Sequence, residues 1–336
     1  MVIRGKHYGK ARLAVLSCLV LAFGLLAGPS PAVTPSQENP PTSDQTLRVT
    51  TEVVSVYAVV RHKKRPITNL TRQDFELTED GVPQDIRYFS RETDTPLTMG
   101  ILIDTSPSQQ RVLPIEQEEA KTFIRQVVRP HDLAFILHFD VQVELLQDFT
   151  SSHRLLANAI DSTEINGGGH GVLPGPFPGT NVGGTHLHDA VYLASRELLK
   201  GEVGRKVLIM LTDGEDQGSK VKLDDAVEAA QKSDVIIYSV AIIDRAFYWG
   251  QPMGFRGDSV LKKYSKETGG RVIEVKRAKN TAEAFQEIAE ELRTQYLLGY
   301  TPKNSRHDGS YRKIRVKVRG HNYKVQARRG YYAPKD

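Results

Sequence analysis

Between Met99 and Leu292 short, continuously apolar runs alternate with segments of helical period, and no other feature restricts the fold of this chain as strongly. The apolar runs cover residues 100–103, 133–139, 207–211, 235–243 and 272–275. Helix-period segments cover 116–128, 152–160, 187–199, 223–232, 261–268 and 282–292. Runs that short and that largely apolar read as strands buried on both faces. Such strands in alternation with helices predict an α/β fold, a doubly wound and mainly parallel sheet of about six strands covered by helices. A sheet of that kind gathers its ligands outside the carboxyl ends of its strands.

Those ends carry the chemistry of the sequence. The run Ile101-Leu102-Ile103 ends in Asp104-Thr105-Ser106-Pro107-Ser108, a D-x-S-x-S pattern whose spacing lets one carboxylate and two hydroxyls converge. Gly183-Gly184-Thr185 precedes a helical segment and offers a third hydroxyl. The run 207–211 ends in Thr212-Asp213-Gly214 and offers a second carboxylate. A donor set of oxygens alone, without His or Cys, suits a hard divalent cation, Mg²⁺ first and Mn²⁺ or Ca²⁺ as alternatives. A single Asp or Ser at a strand end only needs to cap the next helix. Five oxygen donors arriving in order at three strand ends point to metal.

This ordered set resembles the von Willebrand factor A family and its metal-ion-dependent adhesion site. The resemblance spans residues 96–294 and includes the G-G-T-x-L-x-D-A helix start, Gly183 to Ala190, and the apolar-T-D-G strand end. It implies that Ser106 and Ser108 ligate the cation, that Thr185 does so in the ligand-competent state, and that Asp104 and Asp213 act largely through water. It further implies a cation left electrophilic enough to accept an Asp or Glu from a partner protein. The flanking segments, Thr71-Arg72-Gln73-Asp74-Phe75-Glu76-Leu77-Thr78-Glu79-Asp80-Gly81 and the tail with Tyr296-Leu297-Leu298-Gly299-Tyr300 and Arg329-Gly330-Tyr331-Tyr332, look like the VWFA-related domain of secreted acidobacterial proteins. His188, where many relatives carry Tyr, and the Gly/Pro-rich loop 166–180 depart from the pattern without touching a metal position.

Outside the α/β part, residues 49–95 and 295–336 read as β-rich segments. Val54, Val56, Ala58 and Val60 form one apolar face, and Ile314, Val316 and Val318 another. Neither segment buries enough alone, so the two are expected to pair as one small β domain flanking the α/β domain. Within the first, Asp80-Gly81 signals a hairpin, with residues 86–89 as its returning strand. Lys317, Arg319, Lys324, Arg328 and Arg329 are expected on the solvated face of the tail strands.

Arg4, Lys6, Lys10 and Arg12 precede an apolar run from Leu13 to Ala27, so residues 1–32 read as a secretory signal peptide followed by a flexible linker, 33–48. The apolar run is shorter than the ~20 residues of a spanning helix, and no membrane span is expected after cleavage. The only cysteine, Cys18, lies inside that run, leaving the mature chain no disulfide and no thiolate chemistry. Loss of the four basic residues takes the formal charge from +5 to +1, which gives no electrostatic case for nucleic acid.

Catalytic readings fare worse. Asp104-Thr105-Ser106 imitates an aspartic-protease loop, but such enzymes need two like loops sharing a proton, and Thr212-Asp213-Gly214 has its Thr on the other side. A phosphoaspartate enzyme of the haloacid-dehalogenase type would want Asp at position 106. Neither a G-x-S-x-G elbow nor a P-loop occurs. His170, His186 and His188 are expected as surface or loop histidines, since residues two apart on a helix diverge. The sequence therefore predicts an exported, secreted or periplasmic, non-enzymatic module that binds a protein through a metal. A structural or envelope-assembly role with incidental metal binding is the alternative, and a hydrolase the weakest reading.

Overall fold

The computed structural model describes residues 52–63, 65–92, 95–165, 184–242, 257–275 and 280–336. The signal-like segment, the linker, His170, Gly183 and the loop 166–180 lie outside the described residues. In chain order the elements are β1 (Val54–His62), β2 (Arg65–Pro66), β3 (Phe75–Glu79), β4 (Val82–Gln84) and β5 (Ile86–Glu92). The α/β part follows with β6 (Leu97–Asp104), α1 (Leu113–Val127), β7 (Leu133–Phe139), β8 (Val143–Thr150), α2 (His153–Asp161) and α3 (Leu187–Leu193). It continues through β9 (Arg205–Leu211), α4 (Leu223–Lys232), β10 (Val235–Ile242), α5 (Gly257–Thr268), β11 (Val272–Val275) and α6 (Thr281–Arg293). Last come β12 (Gln295–Tyr300), β13 (Tyr311–Val318), β14 (Lys324–Ala327) and β15 (Gly330–Tyr332).

The central sheet has six strands in the order β11-β10-β9-β6-β7-β8. All neighbours run parallel except β8, which is antiparallel to β7. Strands β6 and β10 are buried at every residue, which is why they read as unbroken apolar runs. Helices α1, α2 and α6 pack on one face and α3, α4 and α5 on the other, the α/β architecture expected. Gly100 in β6 admits Phe135 and Leu208, since a Cβ there would stand 2.2 Å from the Phe135 ring. Because the chain runs from β6 to β7 on one side and later returns to β9 on the other, the strand order reverses at β6. The crevice beside the carboxyl ends of β6 and β9 is therefore the topological switch point.

Strand β8 is absent from the sequence-based reading. It is a half-exposed edge carrying Glu144, Gln147 and Asp148, so it lacks the apolar run that marks its neighbours.

The two chain ends build two further sheets, β14-β1-β12-β5 with β2 attached to β1, and β15-β13-β3-β4. Val54, Val56, Ala58 and Val60 share a core with Leu77, Tyr296, Tyr300, Ile314 and Val318, with Val316 half-buried against it. The flanking β domain is thus a sandwich sewn from both ends of the chain. Two expectations need correction here. The hairpin at Asp80-Gly81 forms, with both residues at positive φ of 48° and 86°, but its returning strand is β4. Strand β5 crosses to the other sheet and pairs with β12. Arg328 is not on a solvated face: its side chain is only 12% exposed, pairs with Asp234, and donates to the Ser55 carbonyl at 2.7 Å.

Candidate metal centre

At the switch point the end of β6 delivers Asp104, fully buried. Its Oδ1 accepts the Ser106 backbone N–H at 2.9 Å, the two-residue turn that Asp favours, and its Oδ2 accepts the Thr212 hydroxyl at 2.6 Å. The turn brings the Ser106 and Ser108 hydroxyls to 3.1 Å from each other. From the end of β9, Asp213 is 1% exposed. Its Oδ1 accepts the Glu215 N–H at 3.1 Å, and its Oδ2 accepts from Gln109 Nε2 at 2.8 Å. The same Gln109 amide donates to Ser108 Oγ at 3.2 Å. Asp104, Ser106, Ser108 and Asp213 are thereby joined in one buried cluster spanning two strand ends.

Thr185 stands on the neighbouring loop, 7% exposed, its backbone paired with that of Gln217 at 3.0 and 2.9 Å. His186 N–H donates to the Asp140 carbonyl at 2.7 Å, and the Asp140 carboxylate accepts from Thr105 at 3.0 Å, which ties this loop to the D-x-S-x-S loop. Among the described residues the Thr185 hydroxyl makes no hydrogen bond to the other four predicted residues. The sequence thus finds four members of a connected cluster and a fifth beside it.

Two participants escaped the sequence-based reading: Thr212 binds Asp104, and Gln109 bridges Ser108 to Asp213. Outside the bonded cluster, Glu116 in the first turn of α1 is also fully buried. It left a signal: it occupies the apolar stripe Leu113, Ala120, Phe123, Ile124, Val127, where a carboxylate has no packing reason to be.

The electrostatics of the cluster are those of a cation site. Burial, then the Asp213 charge, push the Asp104 carboxyl up to about 7, against the opposing hydrogen bonds from Ser106 and Thr212. Glu116 is driven well above the ordinary range by burial and by the charges of Asp104 and Asp213. Both of its oxygens, and Gln109 Oε1, are buried without a hydrogen-bond partner among the described residues. Two buried carboxylates joined to two hydroxyls are a donor set that suits a hard cation, while no group of three or more His, Cys, Asp or Glu among the described residues could hold one.

His188 departs from the surface or loop position expected of it. It is 8% exposed on α3, and its Nδ1 lies 2.9 Å from the Tyr264 hydroxyl and 3.7 Å from Asp216. These partners make it a packed histidine. His186 remains partly open beside Asp189, 3.9 Å away.

Comparison with known proteins adds a family match over part of the chain. Residues 178–290 match the family model of the von Willebrand factor type A domain. Thr185 and Asp213 fall inside the match, and the D-x-S-x-S loop precedes it. Among solved structures, the chain is similar to proximal thread matrix protein 1 from the mussel byssus, at 14% identity and a TM-score of 0.48, covering 64% of this chain and 51% of that one. A second structure of the mussel protein is described as having a zinc-occupied MIDAS motif. A von Willebrand factor type A protein from Catenulispora acidiphila aligns at 12% identity and a TM-score of 0.46, over 78% of this chain and 74% of that one. The conserved hypothetical protein BatB from Bacteroides thetaiotaomicron aligns at 15% and 0.43, over 58% and 98%. The chain spans about half the length of the mussel protein. No curated protein matches it. Over residues 178–290 the chain matches the von Willebrand factor type A domain family, and its central sheet has that domain's α/β fold.

Proposed function

We propose that this chain is an exported, non-enzymatic module that binds a partner protein through a divalent cation, Mg²⁺ first. The observation that carries the reading is the buried pair Asp104 and Asp213, held with the Ser106 and Ser108 hydroxyls at the switch point. Ser106, Ser108 and Thr185 would hold the cation, with Asp104 and Asp213 behind them. When bound, the cation supplies an electrophilic position for an Asp or Glu of the partner. The protein's own part is orientation: Thr212 and the Ser106 N–H fix Asp104, while Gln109 fixes Asp213. The basic-then-apolar N-terminus supports export, and the flanking Thr71–Gly81 and Tyr296–Tyr300 motifs support placement among the VWFA-related domains of secreted acidobacterial proteins. No helix among the described residues is long and apolar enough to cross a membrane.

The test compares wild type with Asp104→Ala. At about 100 times its dissociation constant the cation adds roughly 2.7 kcal/mol to wild-type stability, and the variant loses that gain while still folding. Affinity capture from the envelope of the source organism, with Mg²⁺ and with chelator, then isolates the partner. Identical responses of both proteins to Mg²⁺ and Mn²⁺ would overturn the site, and a partner captured equally in chelator would favour the assembly role.

A further inference from the structure

A cavity of about 170 Å³ lies at the seam between the sandwich and the α/β part, lined on one side by Ser55, Tyr57 and Arg328 and on the other by Lys206, Asp234 and Val235. Lys206 is the second residue of β9 and Val235 the first of β10, so the cavity stands at the amino ends of these strands, at the opposite end of the sheet from Asp104 and Asp213. Its walls combine apolar surface from Tyr57, Val235 and Ile236 with two cations and one acid. The neutral polar side chains of the lining are already committed: Gln231 donates to the Glu267 carbonyl at 3.2 Å, and the Thr268 hydroxyl donates to the Tyr264 carbonyl at 2.8 Å. The two cations are held differently. Arg328 is paired with Asp234 and donates to the Ser55 carbonyl at 2.7 Å. Lys206 has no ion pair among the described residues, and its three ammonium donors make one long hydrogen bond, to the Lys200 carbonyl at 3.4 Å. Burial pushes that ammonium below its ordinary range, against the opposing charges of Asp234 and Glu202. A largely apolar cavity with cationic donors in excess of acid fits a small anion that has an apolar body.

We propose that this seam cavity binds a small organic carboxylate, its charge taken by the Lys206 ammonium with the Arg328 guanidinium, and its apolar body resting on Tyr57, Val235 and Ile236. Such a ligand touches both parts of the protein at once, because Tyr57 and Arg328 belong to the sandwich and Lys206 to the central sheet. Asp234 works against it, since its carboxylate holds Arg328 and repels the incoming anion. Asp234 has a φ of 56°, in the left-handed region that Asn adopts as readily as Asp, so its charge can be removed without disturbing the turn. None of these residues belongs to the metal centre, and binding here is independent of the cation.

The experiment is calorimetry on the full chain in chelator with benzoate as probe, benzamide as its neutral counterpart and inorganic phosphate as a bare anion, in wild type, Lys206→Met and Asp234→Asn. Benzoate should bind wild type with a Kd of about 1 mM or tighter. Lys206→Met keeps the apolar stem and drops the charge, and should weaken benzoate ~10-fold or more, the weight of a hydrogen bond to a charged group. Asp234→Asn should tighten it about two- to fivefold, the weight of one exposed charge pair. A general loosening of the seam would weaken both variants, so the opposite signs separate a ligand site from a structural contact. Melting of each variant without benzoate reports on the fold, and should Lys206→Met not fold, the gain in Asp234→Asn still decides. No benzoate binding by wild type and Asp234→Asn, or an affinity that neither substitution alters, overturns the proposal. Benzamide binding as tightly as benzoate would overturn recognition by charge, and phosphate binding as tightly would overturn the organic carboxylate.

Discussion

Glu79 in the sandwich and Glu116 in the α/β part are both buried glutamates, and they are kept in opposite ways. Glu79 Oε2 accepts the hydroxyls of Tyr300 at 2.7 Å and Tyr331 at 2.9 Å, while Arg312 stands 3.9 Å from its other oxygen. Arg312 is in turn held by Ser310, the Arg306 carbonyl and Asp308. Glu116 has none of this. The difference separates two kinds of buried glutamate: in the sandwich it is a joint between strands from both ends of the chain, and in α1 it is a carboxyl whose acceptor capacity nothing among the described residues takes up.

The comparison breaks first at the sandwich. Glu79→Ala leaves two tyrosine hydroxyls without their acceptor and removes the carboxylate 3.9 Å from a buried guanidinium, and should cost about 3–5 kcal/mol, read by urea denaturation. Added Mn²⁺ should not rescue it, since the joint lies outside the metal centre. A loss below 1 kcal/mol would show that Glu79 is no joint of the sandwich.

A pH series sharpens the contrast. In chelator the folded Asp104 carboxyl keeps its proton up to about pH 7, whereas the unfolded chain releases it near its ordinary value of 3.8. Between those values the folded state binds the extra proton, so stability falls as pH rises from about 4 to about 7, and Asp104 accounts for roughly 2 kcal/mol of the drop between pH 5 and 7.5. Glu116, also held well above its ordinary range by burial, adds to the fall. Asp104→Asn should therefore make the slope shallower, and saturating Mn²⁺ should reverse the Asp104 share, because the cation favours the ionised carboxylate. A chelated protein whose stability is level across this range would contradict the burial described for Asp104.

The smallest expected effect is at the bridge. Gln109→Ala removes the donor to Ser108 and Asp213 and should cost about 1 kcal/mol of stability in chelator. Mn²⁺ affinity should fall with it, by less than in Asp104→Ala. An unchanged affinity would make Gln109 a packing residue only.

What the sequence revealed follows from how each element is buried. Strands β6, β9 and β10, covered on both faces, announce themselves as apolar runs, and Asp104 and Asp213 stand out because a carboxylate ends such a run. Strand β8, half in water, has no comparable pattern. The hairpin at Asp80-Gly81 was legible from local turn chemistry, but nothing local says that the next strand, β5, leaves for another sheet; that choice is made by its pairing with β12, far along the chain. Thr212 and Gln109 were hidden because a polar side chain next to a ligand looks like any turn residue. Glu116 was readable in principle, as the one charge on the core-facing stripe of α1.

Strand β1 is flanked in its sheet by β12 and β14, and β5 pairs with β12 as well. In time, this means that a ribosome makes the first strands of the sandwich long before it makes their neighbours. Until β12 appears, β1 and β5 have no native partner in their own sheet beyond the short β2, and unpaired strand edges are the surfaces through which chains stick to one another. The α/β part contains all six of its sheet strands between those two moments, so it can complete its own core while the sandwich waits. The order of synthesis therefore lets the site-bearing domain complete its sheet before the sandwich, whose exposure ends only when β12 has closed between β1 and β5 and β14 has covered the other edge of β1.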